Sequence, residues 1–287
     1  MNLIVSESDI RRSIRKSDKL LSYLNEPFKI QLFNESDNLV FKIAGKNDIL
    51  AKVGLTGWGK YEYETLKKLS SKNYNVPKPI TYIPLQQEMD NDWSFGRMDR
   101  ELGILFYLQL EGKNLKQQLT KINILKGVNF LKKLHEDKSL INGIIKDYQK
   151  IEVDRGLRYI KKLFEGELVD NLEKDISQYQ NYEIDYCFIH GGPRLEHFII
   201  KDDQIWMIDF EGACIGDRFK DLGIFCTELL LNDIDKEDLI KAYFKRGLSK
   251  EEKDRLKFFE LRALMVKMRF KPSQKILENI QRLVNYR

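Results

Sequence analysis

Apolar and polar positions alternate in short runs through the first third of the chain, then recur at helical spacing through most of the remainder. The runs 28–33 (FKIQLF), 39–45 (LVFKIAG) and 49–55 (ILAKVGL) are separated by the polar turns NESDN and KND, which predicts a meander of three strands. Ahead of them, 7–24 reads as one polar helix with Ser or Asp at its N-cap. Behind them, GKYEYETLKKLSSK places Tyr63, Leu66 and Leu69 at helical spacing and stops before Val76-Pro77-Lys78-Pro79, because proline cannot continue a helix. Two further strand-like runs, 80–85 (ITYIPL) and 103–110 (GILFYLQL), complete this region. After Glu111-Gly112 the texture changes: helices are predicted over 115–119, 122–135 and 151–164. A β-rich passage follows over 186–212, and helices over 222–287 broken at Gly247 and Pro272. The pattern predicts an α+β, two-lobed chain: a small β-rich lobe over 1–110 and a larger, mainly helical lobe over 111–287. A ligand cleft between two such lobes is the usual consequence.

Composition narrows the class. Of 287 residues, 42% are hydrophobic and 32% charged, which suits a soluble globular chain with a sizeable core. No stretch reaches the roughly 18 consecutive apolar residues of a membrane span, and charge follows a five-residue apolar opening, the reverse of a signal peptide. Three cysteines, Cys187, Cys214 and Cys226, are odd in number and lack metal-ligand spacing. A reducing, cytoplasmic setting is expected.

The net charge of +5 is unevenly spread: residues 241–287 carry 14 basic and 5 acidic residues, leaving 35 basic and 39 acidic in 1–240. One reading is a basic C-terminal face for an anionic small molecule, a peptide or a protein partner. The other, favoured because the bases are scattered, is a set of solvated helix faces. Nucleic-acid binding has no motif support.

The chemistry concentrates in 190–223, HGGPRLEHFIIKDDQIWMIDFEGACIGDRFKDLG. A histidine-led loop, a β-hairpin, and an aspartate ending an apolar strand form the layout of a phosphoryl-transfer site. Such a site needs a hydroxyl-orienting group on the loop and carboxylate or amide ligands for Mg²⁺. Asp209, at the end of Ile205–Ile208, suits the metal role.

On these residues the chain resembles the aminoglycoside phosphotransferase and choline kinase-like family, a branch of the protein-kinase-like fold. That family's loop reads His-Gly-Asp, with Asn five residues after the Asp; its later motifs read Ile-Asp-Phe/Trp-(Gly/Glu), Gly-Asp-Pro and Asp-Leu. His190, Gly191, Ile208, Asp209, Phe210, Gly216, Asp217, Asp221 and Leu222 stand where the pattern wants them. The resemblance implies ATP, or another nucleoside triphosphate, with Mg²⁺. It makes Lys52 the lysine for the α- and β-phosphates, with Glu62 as its helix partner and Glu64 in reserve. Asn38 matches an asparagine at the start of the second strand, and Leu108 and Leu110 fall in the hinge that would offer backbone groups to a base. His135 matches a Leu-His pair and is read as structural; Asp217 and Asp221 are read as supports for the loop.

Two departures stand out. Gly192 occupies the position of the catalytic aspartate and His197 that of the metal-binding asparagine. Glycine cannot accept a proton, and a positioned base is worth about 10²–10⁴-fold. Imidazole is a poor ligand for hard Mg²⁺. The leading expectation is a pseudokinase or partner-regulating protein that binds nucleotide. The alternative is an active phosphotransferase acting on a hydroxyl of a small anionic metabolite or peptide, with His190 or Glu196 as substitute acceptor and Arg194 holding a phosphoryl or acidic group. A third possibility is different nucleotide chemistry on the altered loop.

Overall fold

The computed structural model describes residues 5–24, 27–34, 39–88, 101–141 and 186–285, with positions 161, 166, 169, 170, 173, 174 and 184. The helix expected over 151–164 and the turn over 35–38, with Asn38, lie outside the described residues, apart from position 161 and Asn34. Two compact units account for the chain: Met1–Lys113 with Ile199–Gly212, and Asn114–Phe198 with Ala213–Arg287.

The first unit is built on an antiparallel sheet of five strands: β1 (Lys29–Asn34), β2 (Leu39–Ala44), β3 (Ile49–Leu55), β4 (Pro79–Glu88) and β5 (Glu101–Leu108), in the order β1-β2-β3-β5-β4. Alternation sends Phe41, Ile43, Ile49, Ala51, Val53, Leu102, Ile104 and Phe106 to one buried cluster, where they meet Ile10, Ile14, Leu20 and Leu24. Those four come from α1 (Glu7–Arg15) and α2 (Asp18–Leu24). The sequence predicts a single helix there. The chain breaks it because Ser17 begins a new one, its Oγ accepting from the Leu20 N–H and its C=O from the Leu21 N–H. The period of two that buries Ala51 and Val53 brings Lys52 out on the other face of β3, opposite Leu105 of β5. Helix α3 (Thr56–Ser71) packs on β3, β4 and β5 and carries Glu62. The hairpin that ends at Met207 is tied to this unit by Asn75. Its side-chain N–H₂ donates to Gln204 Oε1 (3.0 Å) and Ile205 C=O (3.2 Å), and its C=O accepts from the Met207 N–H (2.9 Å).

The second unit is mainly helical. Beyond a two-residue strand β6 (Lys113–Asn114), α4 (Lys121–Glu136) begins at Thr120, whose hydroxyl accepts from the Asn123 N–H. Strand β7 (Tyr186–Ile189) leads to the loop at 190–197; the hairpin strands β8 (Phe198–Lys201) and β9 (Gln204–Met207) follow, then β10 (Cys214–Asp217), which returns antiparallel to β7. Four helices close the chain: α5 (Arg218–Leu230), α6 (Glu237–Phe244), α7 (Lys250–Phe270) and α8 (Gln274–Asn285). α5 and α7 cross closely at Gly223, where a Cβ would come within 2.5 Å of the Phe259 Cβ. Only glycine allows that approach. Bases of the C-terminal segment are drawn into ion pairs in this unit: Lys241 with Glu237, Arg246 with Glu252, Arg255 with Asp217, Lys267 with Glu228 and Lys275 with Asp233. No helix among the described residues is long and apolar enough to cross a membrane.

Candidate active site

In the first unit, Lys52 gathers three carboxylates. Its Nζ lies 2.8 Å from Glu62 Oε2, 2.5 Å from Asp209 Oδ1 and 3.0 Å from Glu211 Oε2. Glu62 works with both oxygens, since Oε1 accepts the Phe210 N–H at 3.1 Å. The α3 carboxylate thus fixes the lysine and the backbone beside Asp209 together. Asp209 has φ 69°, a left-handed conformation that costs a non-glycine residue energy, and that places the turn Phe210–Gly212 directly after it. Side-chain exposure grades outward, from 3% for Glu62 and 9% for Lys52 to 27% for Asp209 and 31% for Glu211.

The electrostatics follow from that burial. Desolvation opposes the charge on Lys52, but Glu62, Asp209 and Glu211 together hold its pKa well above the ordinary value. Burial pushes Glu62 up to about 7, against the pull of Lys52 and with help from the Asp209 and Glu211 charges. Tyr107 on β5 lies in the same field: burial raises its phenol pKa, and Lys52, Glu62, Asp209 and Glu211 all act on it. In the hinge, the Leu108 N–H bonds to Lys78 C=O and the Gln109 N–H to Asp48 C=O. Gln109 Oε1 is buried with no hydrogen-bond partner among the described residues.

Oxygens of Glu62, Asp209 and Glu211 lie within 4.8 Å of one another, the one such grouping of potential metal ligands among the described residues. Hard carboxylate oxygens fit Mg²⁺, which takes one or two of them and completes its shell with phosphates and water. Asp209 and Glu211, the two more exposed, are the pair suited to hold it.

In the second unit, β7 delivers the loop, and Asp221 in the first turn of α5 braces it. Asp221 Oδ2 accepts from the His190 N–H and Oδ1 from the Gly191 N–H, both at 2.8 Å. His135 Nε2–H donates to Asp221 Oδ2 at 3.0 Å, while its Nδ1 accepts from the Tyr243 hydroxyl at 2.7 Å. Burial works against ionisation of Asp221, yet the His135 hydrogen bond, the favourable electrostatics of the neighbouring His135 and His190 rings and the backbone bond from His190 leave its pKa below the ordinary carboxylate value. Gly191 has φ 85°, which favours glycine. Asp217 caps α5 by accepting the Phe219 N–H (2.9 Å) and pairs with Arg255 (2.7 Å).

Gly192 is held through its backbone by two imidazoles. Its N–H donates to His190 Nδ1 at 3.3 Å, and its C=O accepts from His197 Nδ1 at 2.9 Å, so the His197 proton sits on Nδ1. The two rings are 5.7 Å apart. A Cβ built on Gly192 meets no atom within 4 Å, so a side chain would find open space there. Arg194 and Glu196 are half-exposed and 3.9 Å apart, a loose pair of low energetic weight. Of the residues singled out in the sequence, Lys52, Glu62 and Asp209 come together in one unit, and His190, Gly192, His197 and Asp221 in the other. Sequence reasoning gave no role to Glu211 or Tyr107, and placed Gln109 only within the hinge; the acidic residue two places after Asp209 was the signal for the first.

Comparison with known proteins fits this arrangement. Solved structures share the α+β, protein-kinase-like fold. A choline/ethanolamine kinase family protein from Mesorhizobium loti is 14% identical, with a TM-score of 0.62 over 96% of this chain and 92% of that one. A spectinomycin phosphotransferase in complex with ADP and spectinomycin is 12% identical, TM-score 0.63, over 95% and 92%. An amicoumacin kinase in complex with AMP-PNP and Ca²⁺ is 12% identical, TM-score 0.61, over 96% and 92%. A sequence profile of the phosphotransferase enzyme family matches residues 59–259, and the chain belongs to that family. Comparison with curated proteins finds no relative.

Proposed function

We propose that this family member binds a magnesium–nucleoside triphosphate complex through Lys52, Glu62, Asp209 and Glu211, and that it acts mainly as a nucleotide-binding, partner-regulating pseudokinase. One observation carries the reading: the Lys52–Glu62–Asp209 cluster is complete, whereas position 192 offers no acceptor atom beyond its backbone. Lys52 would take the α- and β-phosphates, Glu62 would keep it in place, and Asp209 with Glu211 would hold the metal. The metal, when bound, screens phosphate charge. Leu110, and Leu108 through its C=O because its N–H is held by Lys78, would supply backbone groups to the base. At the loop, His190 and Gly192 set the backbone, and position 192 supplies no carboxylate to take a hydroxyl proton. His197, at the position of a second metal's ligand, offers nitrogen where Mg²⁺ prefers oxygen.

The brace supports a second reading. Because Asp221 still holds the His190 and Gly191 N–H groups, the loop keeps its shape, and slow transfer to a hydroxyl through His190 or Glu196 is compatible with it. Arg194 would then meet the phosphoryl or an acidic acceptor. The ion pairing of Lys241, Arg246, Arg255, Lys267 and Lys275 weakens the charge argument for an anionic acceptor.

Thermal unfolding with ATP and Mg²⁺, singly and together, tests binding, with Asp209→Ala as control. Ligand at about 100 times its dissociation constant stabilises by roughly 2.7 kcal/mol, a rise of several degrees at about 2–4 °C per kcal/mol. The shift should need both ligands and vanish in Asp209→Ala. ADP release at the roughly 1–100 s⁻¹ of working kinases would overturn the pseudokinase reading and leave binding intact.

A further inference from the structure

Lys52 is an ammonium with three N–H donors; it donates to Glu62 at 2.8 Å and to Asp209 at 2.5 Å, and Glu211 lies against it as an ion pair at 3.0 Å. A phosphate oxygen must compete with all three for the ammonium while they stay. Three carboxylates around one ammonium also leave a formal charge of −2, in a place where a polyphosphate must approach. Glu62 is the fixed member, buried and held on its second oxygen by the Phe210 N–H. Glu211 is the most exposed of the three and sits on the short turn Phe210–Gly212.

We propose that Glu211 is a metal-dependent gate on Lys52: it holds the ammonium until a divalent cation draws the carboxylate away, so that metal binding makes room for the nucleotide phosphates. The inference rests on the nucleotide reading above and adds an order to it. Metal-free nucleotide meets a lysine already paired with three carboxylates and an excess of negative charge. With Asp209 and Glu211 serving as oxygen ligands to a cation, both obstacles would be relieved and Lys52 would be freed for the phosphates. Coupling of this kind is reciprocal, so nucleotide should tighten the metal by the same factor.

The test is calorimetric titration of the full chain with ATP in excess chelator and with ATP plus Mg²⁺, for the native protein and for Glu211→Gln. Glutamine keeps the shape and removes the charge. Native protein should bind Mg-ATP more tightly than metal-free ATP by a factor toward the upper end of the roughly 5–150-fold usual for coupled sites. Glu211→Gln should raise metal-free affinity about tenfold, narrowing the ratio. Glu64→Gln, whose carboxylate pairs with exposed Lys67, changes net charge equally and should leave the ratio alone. An unchanged ratio in Glu211→Gln, or equal affinities in the native protein, overturns the gate while Mg-ATP binding still upholds the nucleotide site. Absence of Mg-ATP binding in the native protein removes the site, and the gate with it.

Discussion

The Lys52 cluster and the loop at 190–197 are equipped differently. Around Lys52 the ionic groups are closely assembled, with Glu62, Asp209 and Glu211 all on the one ammonium. Around the loop the support is present and the working group is not: Asp221, His135 and Tyr243 form a buried brace beneath a position 192 that has no side chain. A brace costs buried polar groups, each of which must be paired. Its survival shows that the loop's shape is maintained apart from proton transfer. On the proposed reading, holding a nucleotide and activating a hydroxyl are separable, because one depends on fixed charges and the other on a single acceptor atom.

The largest effect should come from refilling the loop. Gly192→Asp introduces a Cβ into open space, and the backbone bonds to His190 and His197 do not involve that atom. If the two regions differ only in this carboxylate, ATP hydrolysis or transfer should rise by about 10²–10⁴-fold. Steady-state ADP release measures it. No gain, with Mg-ATP binding retained, would mean that position 197 or the acceptor side has changed as well.

Removing the brace should act on stability. Asp221→Ala strands three buried donors, the His190 N–H, the Gly191 N–H and His135 Nε2–H, at a cost of roughly 3–5 kcal/mol. Amide exchange at His190 and Gly191 should quicken more than exchange across β2 and β3. The native brace also has a pH sign. Because the folded Asp221 pKa lies below the ordinary carboxylate value, its contribution is full above that value and fades as pH falls through the lower folded pKa. Acid should therefore loosen the helical unit, and the Asp221→Ala variant should lack that step. Equal exchange rates in both units would break the comparison.

Much of this was legible in the chain and some was not. Alternation in ILAKVGL isolates Lys52 as the one charged residue of an apolar strand, and helical spacing puts Glu62 within reach of it. The loop's departures were visible because His190, Gly191 and Asp221 bracket them at fixed spacing. Glu211 was written into the same motif yet received no role, since its approach to Lys52 depends on the left-handed turn at Asp209, and a positive φ at aspartate leaves no mark in composition. The break between α1 and α2 was missed because Ser17 can sit inside a polar helix or cap a new one, and only packing of Leu20 and Leu24 decides. That Ile199–Gly212 belongs with the β-rich unit rests on Asn75, an uncharged residue far away in sequence, together with Lys52 and Glu62.

The smallest expected effect is the sharpest check on whether the holding region is complete by itself. His197→Asn restores the oxygen donor that the family places there, yet it leaves Lys52, Glu62, Asp209 and Glu211 untouched. The His197 Nδ1–H bond to Gly192 C=O can be replaced by an amide N–H, which keeps the loop backbone satisfied. If Asp209 and Glu211 carry the metal, Mg-ATP affinity should change by less than about threefold, under 0.7 kcal/mol. Calorimetry at a single Mg²⁺ concentration resolves that. A gain of tenfold or more would place position 197 within the metal's own coordination, and the division between a complete holding region and an altered loop would fail on the holding side. A gain that emerges only in combination with Gly192→Asp, and in turnover but not in binding, would locate position 197 with the proton-handling group and strengthen the division.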